Sequence, residues 1–215
     1  MRASGALLSL VLLFGVVPPA AAQDPPPRIP LFVVDVHAVV PMFPSDSVLL
    51  AASRGLSSAA QLPGSGLGGD IAVHIFPLRW RAVTFGLGGN LMTGHSRLAL
   101  DPATSPLAPV TERFTSIAPQ VSFNFGTGLG WSYISGGMST VTWTIIPDGS
   151  ASLPVDDEKL KTINYGGGAR WFIKPHVAFS LDVRFYAINP SAPHGILPST
   201  PRTTLIVIGA GVSLK

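Results

Sequence analysis

The sequence predicts an all-β fold, an eight-stranded antiparallel up-and-down β-barrel that crosses a membrane. Apolar and polar residues alternate with a period of two in eight segments, the pattern of strands with unlike faces. The connections between these segments alternate between long and short, as in a meander whose two ends face different compartments. The chain has only 12% charged residues, yet no stretch after residue 22 resembles a spanning helix. A closed barrel is the other structure that satisfies its backbone in lipid.

The N-terminal segment has the three parts of a secretory signal peptide. Arg2 supplies the positive charge, an apolar run extends from Ala6 to Val17, and small residues precede Gln23. The alternative, a membrane anchor helix, would need about 20 apolar residues, and this run is shorter. We therefore expect residues 1–22 to be cleaved, residues 23–30 to form a proline-rich lead-in, and residues 31–215 to form the barrel. The lead-in is expected either to be disordered or to lie across the base of the barrel.

The composition argues against other classes of protein. The chain has 14 Lys and Arg against 11 Asp and Glu, without the clustered basic residues of a nucleic-acid-binding surface. It contains no cysteine, so neither a disulfide nor a lipid attached to cysteine can form. We expect no nucleic-acid partner.

The first half of the chain supplies four strands, expected at residues 31–40, 67–76, 80–92 and 114–125. The connection over residues 41–65 is rich in proline and serine, and its segment SVLLAAS suggests a short helix. The segment PLR at residues 77–79 predicts a tight turn, and residues 93–113 predict a second long connection. Pro119 lies inside the fourth strand, where it cannot donate to a ladder, so this strand requires a bulge there.

The second half supplies four more strands, expected at residues 131–145, 163–173, 177–188 and 203–214. The short link GTGLG precedes the first of them, and a polar loop around PDGSASLPVDDEK follows it. Lys174, Pro175 and His176 form a connection too short for a crossover, so the sixth and seventh strands form an antiparallel hairpin. The proline-rich segment over residues 189–201 is the last long loop.

This hairpin, NYGGGARWFIKPHVAFSLDVRFY from Asn164 to Tyr186, resembles the late hairpin of small bacterial outer-membrane β-barrel proteins related to the OmpA transmembrane domain. With the signal peptide and the eight strands, the resemblance covers roughly the whole mature chain. It implies a monomer in the outer membrane of a Gram-negative cell, with short periplasmic turns and four longer extracellular loops. Its partners would be outer-membrane lipid, the barrel-insertion machinery and a possible extracellular ligand of the loops. Members of the group usually end in an aromatic residue; here Leu214 takes that place, followed by Lys215.

The polar faces of the strands predict what fills the barrel. Side chains fill the interior of an eight-stranded barrel, and buried charges persist when they are paired. We therefore expect Arg170 and Arg184 to pair with Asp182, Asp70 or Asp35. The predicted lumen network comprises Asp35, His37, Asp70, His74, Asn90, Asn124, Asn164, Arg170, Asp182 and Arg184. This network would plug the lumen; the alternative is a narrow ion path through it.

Six aromatic residues near strand ends predict girdles at the two membrane interfaces. They are Trp80, Trp131, Tyr133, Trp143, Tyr165 and Trp171. The alternative, ordinary packing, would place them in the middle of strands.

Candidates for chemistry are weighed against simple packing. His37 and His74, beside Asp35 and Asp70, could form a metal cluster, but polar packing in the lumen is favoured, and we predict neither a metal nor a cofactor. Outer-membrane barrel enzymes that act on lipid A use a His and a Ser near the outer rim, which directs attention to His95 and Ser96 and to His194. Adjacent residues of an extended chain point to opposite faces, so we predict no enzyme.

The expected function is a structural or surface-interaction role carried by the four long loops. The first alternative is a narrow passive channel. The second is a soluble exported barrel that binds an apolar ligand inside. That arrangement requires the apolar faces to point inward and leaves Asp35, Asp182 and Arg184 in water.

Overall fold

The computed structural model describes residues 27–99 and 107–215 and shows a closed antiparallel barrel. Each strand pairs with its neighbours in chain order, and the first pairs with the last. The strands are β1 (Phe32–Met42), β2 (Leu67–Trp80), β3 (Val83–Leu98), β4 (Val110–Thr127), β5 (Gly130–Pro147), β6 (Lys159–Lys174), β7 (Val177–Ile188) and β8 (Thr203–Leu214). The predicted fold class, strand number and alternation of connections are confirmed. The predicted signal peptide, residues 1–22, lies outside the described residues.

Helices occur only in the long connections of the described chain. The helix α1 (Val48–Ser53), expected from the segment SVLLAAS, and a single 3-10 turn (Ala59–Gln61) lie between β1 and β2. A second 3-10 turn (Pro154–Asp156) lies between β5 and β6. None of the helices in residues 27–99 and 107–215 is both long enough and apolar enough to cross a membrane.

In the middle of the barrel, apolar side chains face outward and polar side chains face inward. On β7, Phe179, Leu181 and Val183 are 43%, 41% and 40% exposed. Their neighbours Ser180 and Arg184 are buried inside. A barrel whose apolar faces point inward is therefore excluded, and with it the alternative of a soluble barrel with an apolar ligand in its core.

The tight turn predicted at residues 77–79 is wrong. β2 continues to Trp80, and its register against β3 shifts between Ile75 and Leu78. This irregularity accommodates Pro77, which cannot donate to the ladder. The chain turns later, where Arg81 takes a positive φ of 55°.

The second long connection is shorter than predicted, because β3 extends to Leu98 and β4 begins at Val110. Outward side chains in these extensions, such as Thr93 and Arg113, are polar. The apolar alternation therefore stops while the hydrogen-bonded ladder continues, with His95 paired to Arg113.

Pro119 lies inside β4 without the bulge that the sequence predicts. The pairing of β4 with β5 is interrupted between Ile117 and Val121, and the register is the same on both sides of the gap. Gly137 of β5 lies against the gap, and a side chain there would collide with the Pro119 carbonyl oxygen. An open stretch of ladder beside a glycine thus takes the place of a bulge.

The end of the barrel with the short turns is closed by an apolar cluster of Val33, Phe76 and Trp131, against which Ile29 and Phe172 pack. The Trp131 and Phe172 rings stack with their centroids 5.1 Å apart. The described part of the lead-in, residues 27–30, lies across this base, and the Gly128 N–H donates to the Pro27 carbonyl at 2.5 Å.

The end with the long connections is closed by a larger apolar cluster. It combines inward side chains of the strands with residues of the first long loop, residues 43–66, which folds into the mouth of the barrel. The loop contributes Phe43, Leu50, Ala51, Leu56 and Leu62. Phe114, Trp143 and Tyr186 supply the large aromatic rings from the strands.

Candidate functional site

The middle of the barrel holds a buried arginine–aspartate pair. Arg170 of β6 donates to both carboxylate oxygens of Asp35 on β1, at 2.8 and 2.6 Å. The Ser213 hydroxyl adds a third donor to this carboxylate, at 2.5 Å. The guanidinium lies 4.0 Å from the centroid of the Tyr133 ring and 5.5 Å from that of Trp131. Both charges are 1% exposed, so the pair is fully removed from water, and one guanidinium nitrogen, Nη1, has no hydrogen-bond partner among the described residues.

A second pair lies beside the first, on the strand next to that of Arg170. Arg184 of β7 donates to Asp182 of the same strand from two nitrogens, each at 3.2 Å. It also donates to the Ser135 hydroxyl on β5 at 3.2 Å. The Tyr133 hydroxyl donates to Asp182 at 2.6 Å. Because the ring of Tyr133 also faces Arg170, this tyrosine joins the two pairs.

Neutral side chains extend this network across the lumen. Asn90 donates to Asp70 at 2.7 Å, and Gln120 donates to Asn90 at 2.9 Å and to Asn164 at 3.4 Å. His37 contacts the Ser180 hydroxyl at 2.8 Å, and its other ring nitrogen lies 3.7 Å from Asp70.

The structure places all ten predicted lumen residues inside the barrel, and eight of them lie in these contacts. Asn124 lies apart and donates to the Thr84 carbonyl and the Ser122 hydroxyl. His74 lies beside Gln120 but takes no part in the hydrogen bonds described above. Sequence reasoning missed six participants, which are Gln120, Tyr133, Ser135, Ser180, Ser213 and Tyr186, whose hydroxyl accepts from Asn90 at 3.4 Å. Each lies on the inward parity of its strand, and that parity is the signal that could have found them.

The predicted girdles are wrong for half of their members. Trp131, Tyr133 and Trp143 are 3%, 4% and 0% exposed and point into the barrel, because all three share the inward parity of β5. Trp80 and Trp171 point outward near the short turns. Tyr165 also points outward but lies in the middle of β6, where it stacks on Phe185.

A third buried pair lies at the mouth of the barrel and comes from two loops. Arg54, which follows α1, donates to Asp156 at 2.8 Å and to the Val155 carbonyl at 3.2 Å. Backbone N–H groups of Ile145 and Leu153 also donate to Asp156. Burial lowers the pKa of the Arg54 guanidinium, and the charge of Asp156 opposes that shift. The pair ties the first long loop to the loop between β5 and β6.

The remaining space beside the polar layer is small. A cavity of about 10 Å³ lies among His37, Asp70, Arg184 and Tyr186, roughly the room of one water molecule. Within the described ranges, no group of three or more His, Asp or Glu side chains is placed to hold a metal ion.

The histidines considered for catalysis do not face a nucleophile. His95 points outward from β3 and Ser96 points inward, where its hydroxyl donates to the Ser65 carbonyl at 2.8 Å. Both residues belong to a strand rather than to the predicted loop. His194 lies 3.2 Å from Glu158 in the last two long loops.

Comparison with known proteins reveals relatives in structure but not in sequence. No protein-family model and no curated protein matches the chain. Neisserial surface protein A is 15% identical, and the match covers 86% of this chain and 97% of that one with a TM-score of 0.52. The N-terminal barrel domain of Pseudomonas aeruginosa OprF is 13% identical, covering 85% and 96% with a TM-score of 0.45. Ail, the attachment invasion locus protein of Yersinia pestis, is 12% identical, covering 85% and 97% with a TM-score of 0.47. Through its similarity to the neisserial protein, the chain has the fold of the small outer-membrane β-barrels.

Proposed function

We propose that this protein is a monomeric barrel of the cell outer membrane with a closed lumen and a structural or surface-interaction role carried by its long loops. The observation that supports a closed lumen is its filling from end to end. Trp131 and Phe76 occupy the short-turn end, Arg170 and Asp35 the middle, and the apolar cluster around Phe114 the mouth. Water and solutes would have to displace all three layers in order to pass.

A narrow passive channel is the second candidate, and the polar layer is the observation that favours it. A line of charged and amide groups could conduct protons or small ions if the layers above and below opened. The bidentate geometry of Arg170 on Asp35 argues against easy opening, because separating a buried pair leaves both charges without solvation.

The exposed residues of the long loops support a surface-interaction role. Val48 and Leu49 on α1 are largely exposed, and Ile196 in the last loop is fully exposed. These side chains leave the barrel mouth while Leu50 and Ala51 of the same helix are buried in it. A loop anchored from below that presents apolar side chains above suits contact with another macromolecule, so we propose that a ligand of the loops would make apolar contacts.

We further propose export through the N-terminal segment, insertion by the barrel-insertion machinery and no enzymatic activity. The last point is supported by the opposite orientations of His95 and Ser96 and by the pairing of His194 with Glu158. Purified protein can be assayed for release of acyl chains from lipid. A measurable activity that His95→Ala abolishes would contradict the absence of enzymatic activity.

Labelling of single cysteines tests location and orientation together, because the natural chain has no cysteine. Ile196→Cys should react with a membrane-impermeant maleimide in intact cells. The matched variant Arg81→Cys, in a short turn, should react only after the outer membrane is permeabilised. Equal labelling of both variants in intact cells, or recovery of the protein in a soluble fraction, would refute the proposal.

Planar bilayer recording tests the closed lumen. Purified, heat-modifiable wild-type protein should give no steady single-channel current. A steady current would favour the channel, and Arg184→Ala would then show whether the path passes through the polar layer, since removing that side chain should raise the conductance.

A further inference from the structure

We propose that the outer face of β4, β5 and β6 holds one anionic lipid, with a phosphorylated headgroup on Arg113, Lys159 and Lys161 and an acyl chain in an apolar groove below them. This inference rests on the proposed outer-membrane location, which places this end of the barrel in the outer leaflet.

The three cations surround a short row of threonines on β5. Arg113 is paired with Thr144, Lys159 with Thr142 and Lys161 with Thr140. Adjacent strands lie about 4.8 Å apart, so the arginine on β4 and the lysines on β6 are separated by about 10 Å across the sheet. Along the strands, Lys159 and Lys161 are offset from Arg113 by two and four residues, about 7 and 13 Å. The long side chains of arginine and lysine can bring their charged ends closer together around one phosphorylated headgroup.

These cations form no ion pair with the described part of the chain, although the exposed Asp157 lies two residues before Lys159. Within the described residues, none of the three side chains has an ion pair or a side-chain hydrogen bond. An outer cleft of about 510 Å³ includes Arg113 together with Thr115, Thr142 and Thr144. Asp148 also lines this cleft, but Arg97 pairs with it at 2.5 Å. The cleft therefore favours an anion.

The apolar groove lies nearer the middle of the same strands. It has a volume of about 610 Å³ and is lined by Val121, Phe123, Ile134, Val183 and the rings of Tyr165 and Phe185. Gly136 and Gly167 form part of its floor. A side chain at Gly167 would approach the Tyr133 carbonyl to 2.6 Å, so the backbone itself keeps this floor low. The apolar lining suits an acyl chain.

The lysines of β6 and the groove are in line, and Arg113 of the cleft lies on the same face two strands away. Lys161 and Tyr165 both point outward from β6 and are four residues apart, about 13 Å along the strand. Exposed Ile117, Met138 and Ile163 cover the distance between them. One amphiphile can therefore contact both ends of the site.

A lipid fits this face better than a second copy of the barrel. Two copies that met through the groove would bring their Arg113, Lys159 and Lys161 together. In the described strands, outward Lys and Arg residues of the long-loop end occur on β3, β4 and β6. The positive charge is thus concentrated above the groove, as an anionic headgroup requires.

Native mass spectrometry of the folded, full-length mature protein tests the proposal with two probes of equal acyl chains, phosphatidic acid and phosphatidylcholine. Wild-type protein should retain one phosphatidic acid molecule and prefer it to phosphatidylcholine by at least about fivefold. A single well-placed cation already gives a preference of this size. The variant Arg113→Gln, Lys159→Gln, Lys161→Gln should lose this preference. The matched variant Arg79→Gln, Arg81→Gln, Lys174→Gln removes the same charge at the other rim and should keep it.

Two further variants keep the test decisive. If the triple variant fails to fold, Lys161→Gln alone provides the test, and it should lower the preference for phosphatidic acid severalfold. Gly136→Leu fills the groove, where an added Cβ has room at 3.5 Å from the nearest atom, and should weaken retention of both lipids. Equal preference in wild type and the Arg113, Lys159, Lys161 variant, or an equal loss in the matched variant, would overturn the proposal. Failure of the wild type to fold in lipid would instead contradict the outer-membrane location.

Discussion

Two buried arginine–aspartate pairs differ in what holds the carboxylate. In the middle of the barrel, Asp35 receives two hydrogen bonds from Arg170 and one from Ser213. At the mouth, Asp156 receives one hydrogen bond from Arg54 and two from backbone N–H groups. The first carboxylate depends on the arginine, whereas the second is satisfied largely by the chain around it.

The two arginines also differ in how many of their nitrogens are bound. Arg170 is in contact with the carboxylate through two nitrogens and lies over the Tyr133 ring. Arg54 uses one nitrogen, and its other two lack partners. A pair formed by strand residues is fixed by the barrel, while a pair formed by loops fixes the loops. The middle pair should therefore determine the stability of the barrel, and the mouth pair should determine the order of the loops.

The largest effect is expected from Arg170→Met. It leaves Asp35 buried without its counter-charge, a loss of about 3–5 kcal/mol in the free energy of unfolding. Urea unfolding in lipid vesicles, followed by tryptophan fluorescence, measures it. The double variant Arg170→Met, Asp35→Leu should recover most of the loss, because no charge is then left unpaired. A loss under 1 kcal/mol in the single variant would show that the pair does not govern the barrel.

Asp156→Ala should have the next largest effect. It removes the acceptor of two buried N–H groups, those of Ile145 and Leu153, as well as the partner of Arg54. Each buried donor without a partner costs roughly 1–3 kcal/mol. We expect a total loss of about 2–3 kcal/mol, near the low end for two donors, because the loops that carry Arg54 and Leu153 can move towards solvent. The same unfolding measurement applies, with Asp148→Ala in the exposed pair as a control that should change little. Equal effects of the two variants would contradict the role of Asp156.

Most of the fold could be predicted from the sequence, because the alternation of apolar and polar residues shows which side chains of each strand point outward and which point inward. Phe179, Leu181 and Val183 alternate with polar residues without interruption, and β7 and β8 were located closely. Prediction failed where the outward face becomes polar, as at Thr93 and Arg113. There the strand leaves the lipid, and its outward residues no longer need to be apolar.

The sequence predicted which residues lie inside the barrel but not which of them pair with each other. Parity placed Arg170 and Asp35 inside, but their pairing spans 135 positions of sequence and follows from closure of the barrel. Closure of the barrel also turns the inward face of β5 into the lumen, so Trp131 and Trp143 fill the lumen and do not form a girdle. Their inward parity was visible in the sequence, and the general preference of tryptophan for membrane interfaces misled the prediction. The mouth pair could not be predicted, because no periodicity relates the two loops that supply Arg54 and Asp156.

Arg54→Met sharpens the difference between the pairs. Asp156 keeps its two backbone donors, so the unfolding free energy should fall by about 1 kcal/mol or less. The first long loop should nevertheless be cleaved faster in limited proteolysis, because its tie to the loop between β5 and β6 is lost. Arg97→Met, which breaks an exposed pair, is the control and should leave the cleavage rate of the first loop unchanged. A loss as large as that of Arg170→Met would show that both pairs support the barrel equally.

The smallest effect is expected from Glu112→Gln, which asks whether the mouth needs a further negative charge. Glu112 is buried and accepts from the Trp143 indole N–H at 2.8 Å, while its second oxygen has no partner. A glutamine keeps the acceptor for the indole and exchanges one unpartnered polar atom for another, so the free energy of unfolding should change by no more than about 0.5 kcal/mol. Glu112→Leu should lose about 1–3 kcal/mol by leaving the indole N–H unpaired. A large loss in the glutamine variant would mean that the charge of Glu112 supports Arg54 across the Trp143 ring, 5.8 Å from the guanidinium. The mouth would then be held by a charge network like that of the middle layer.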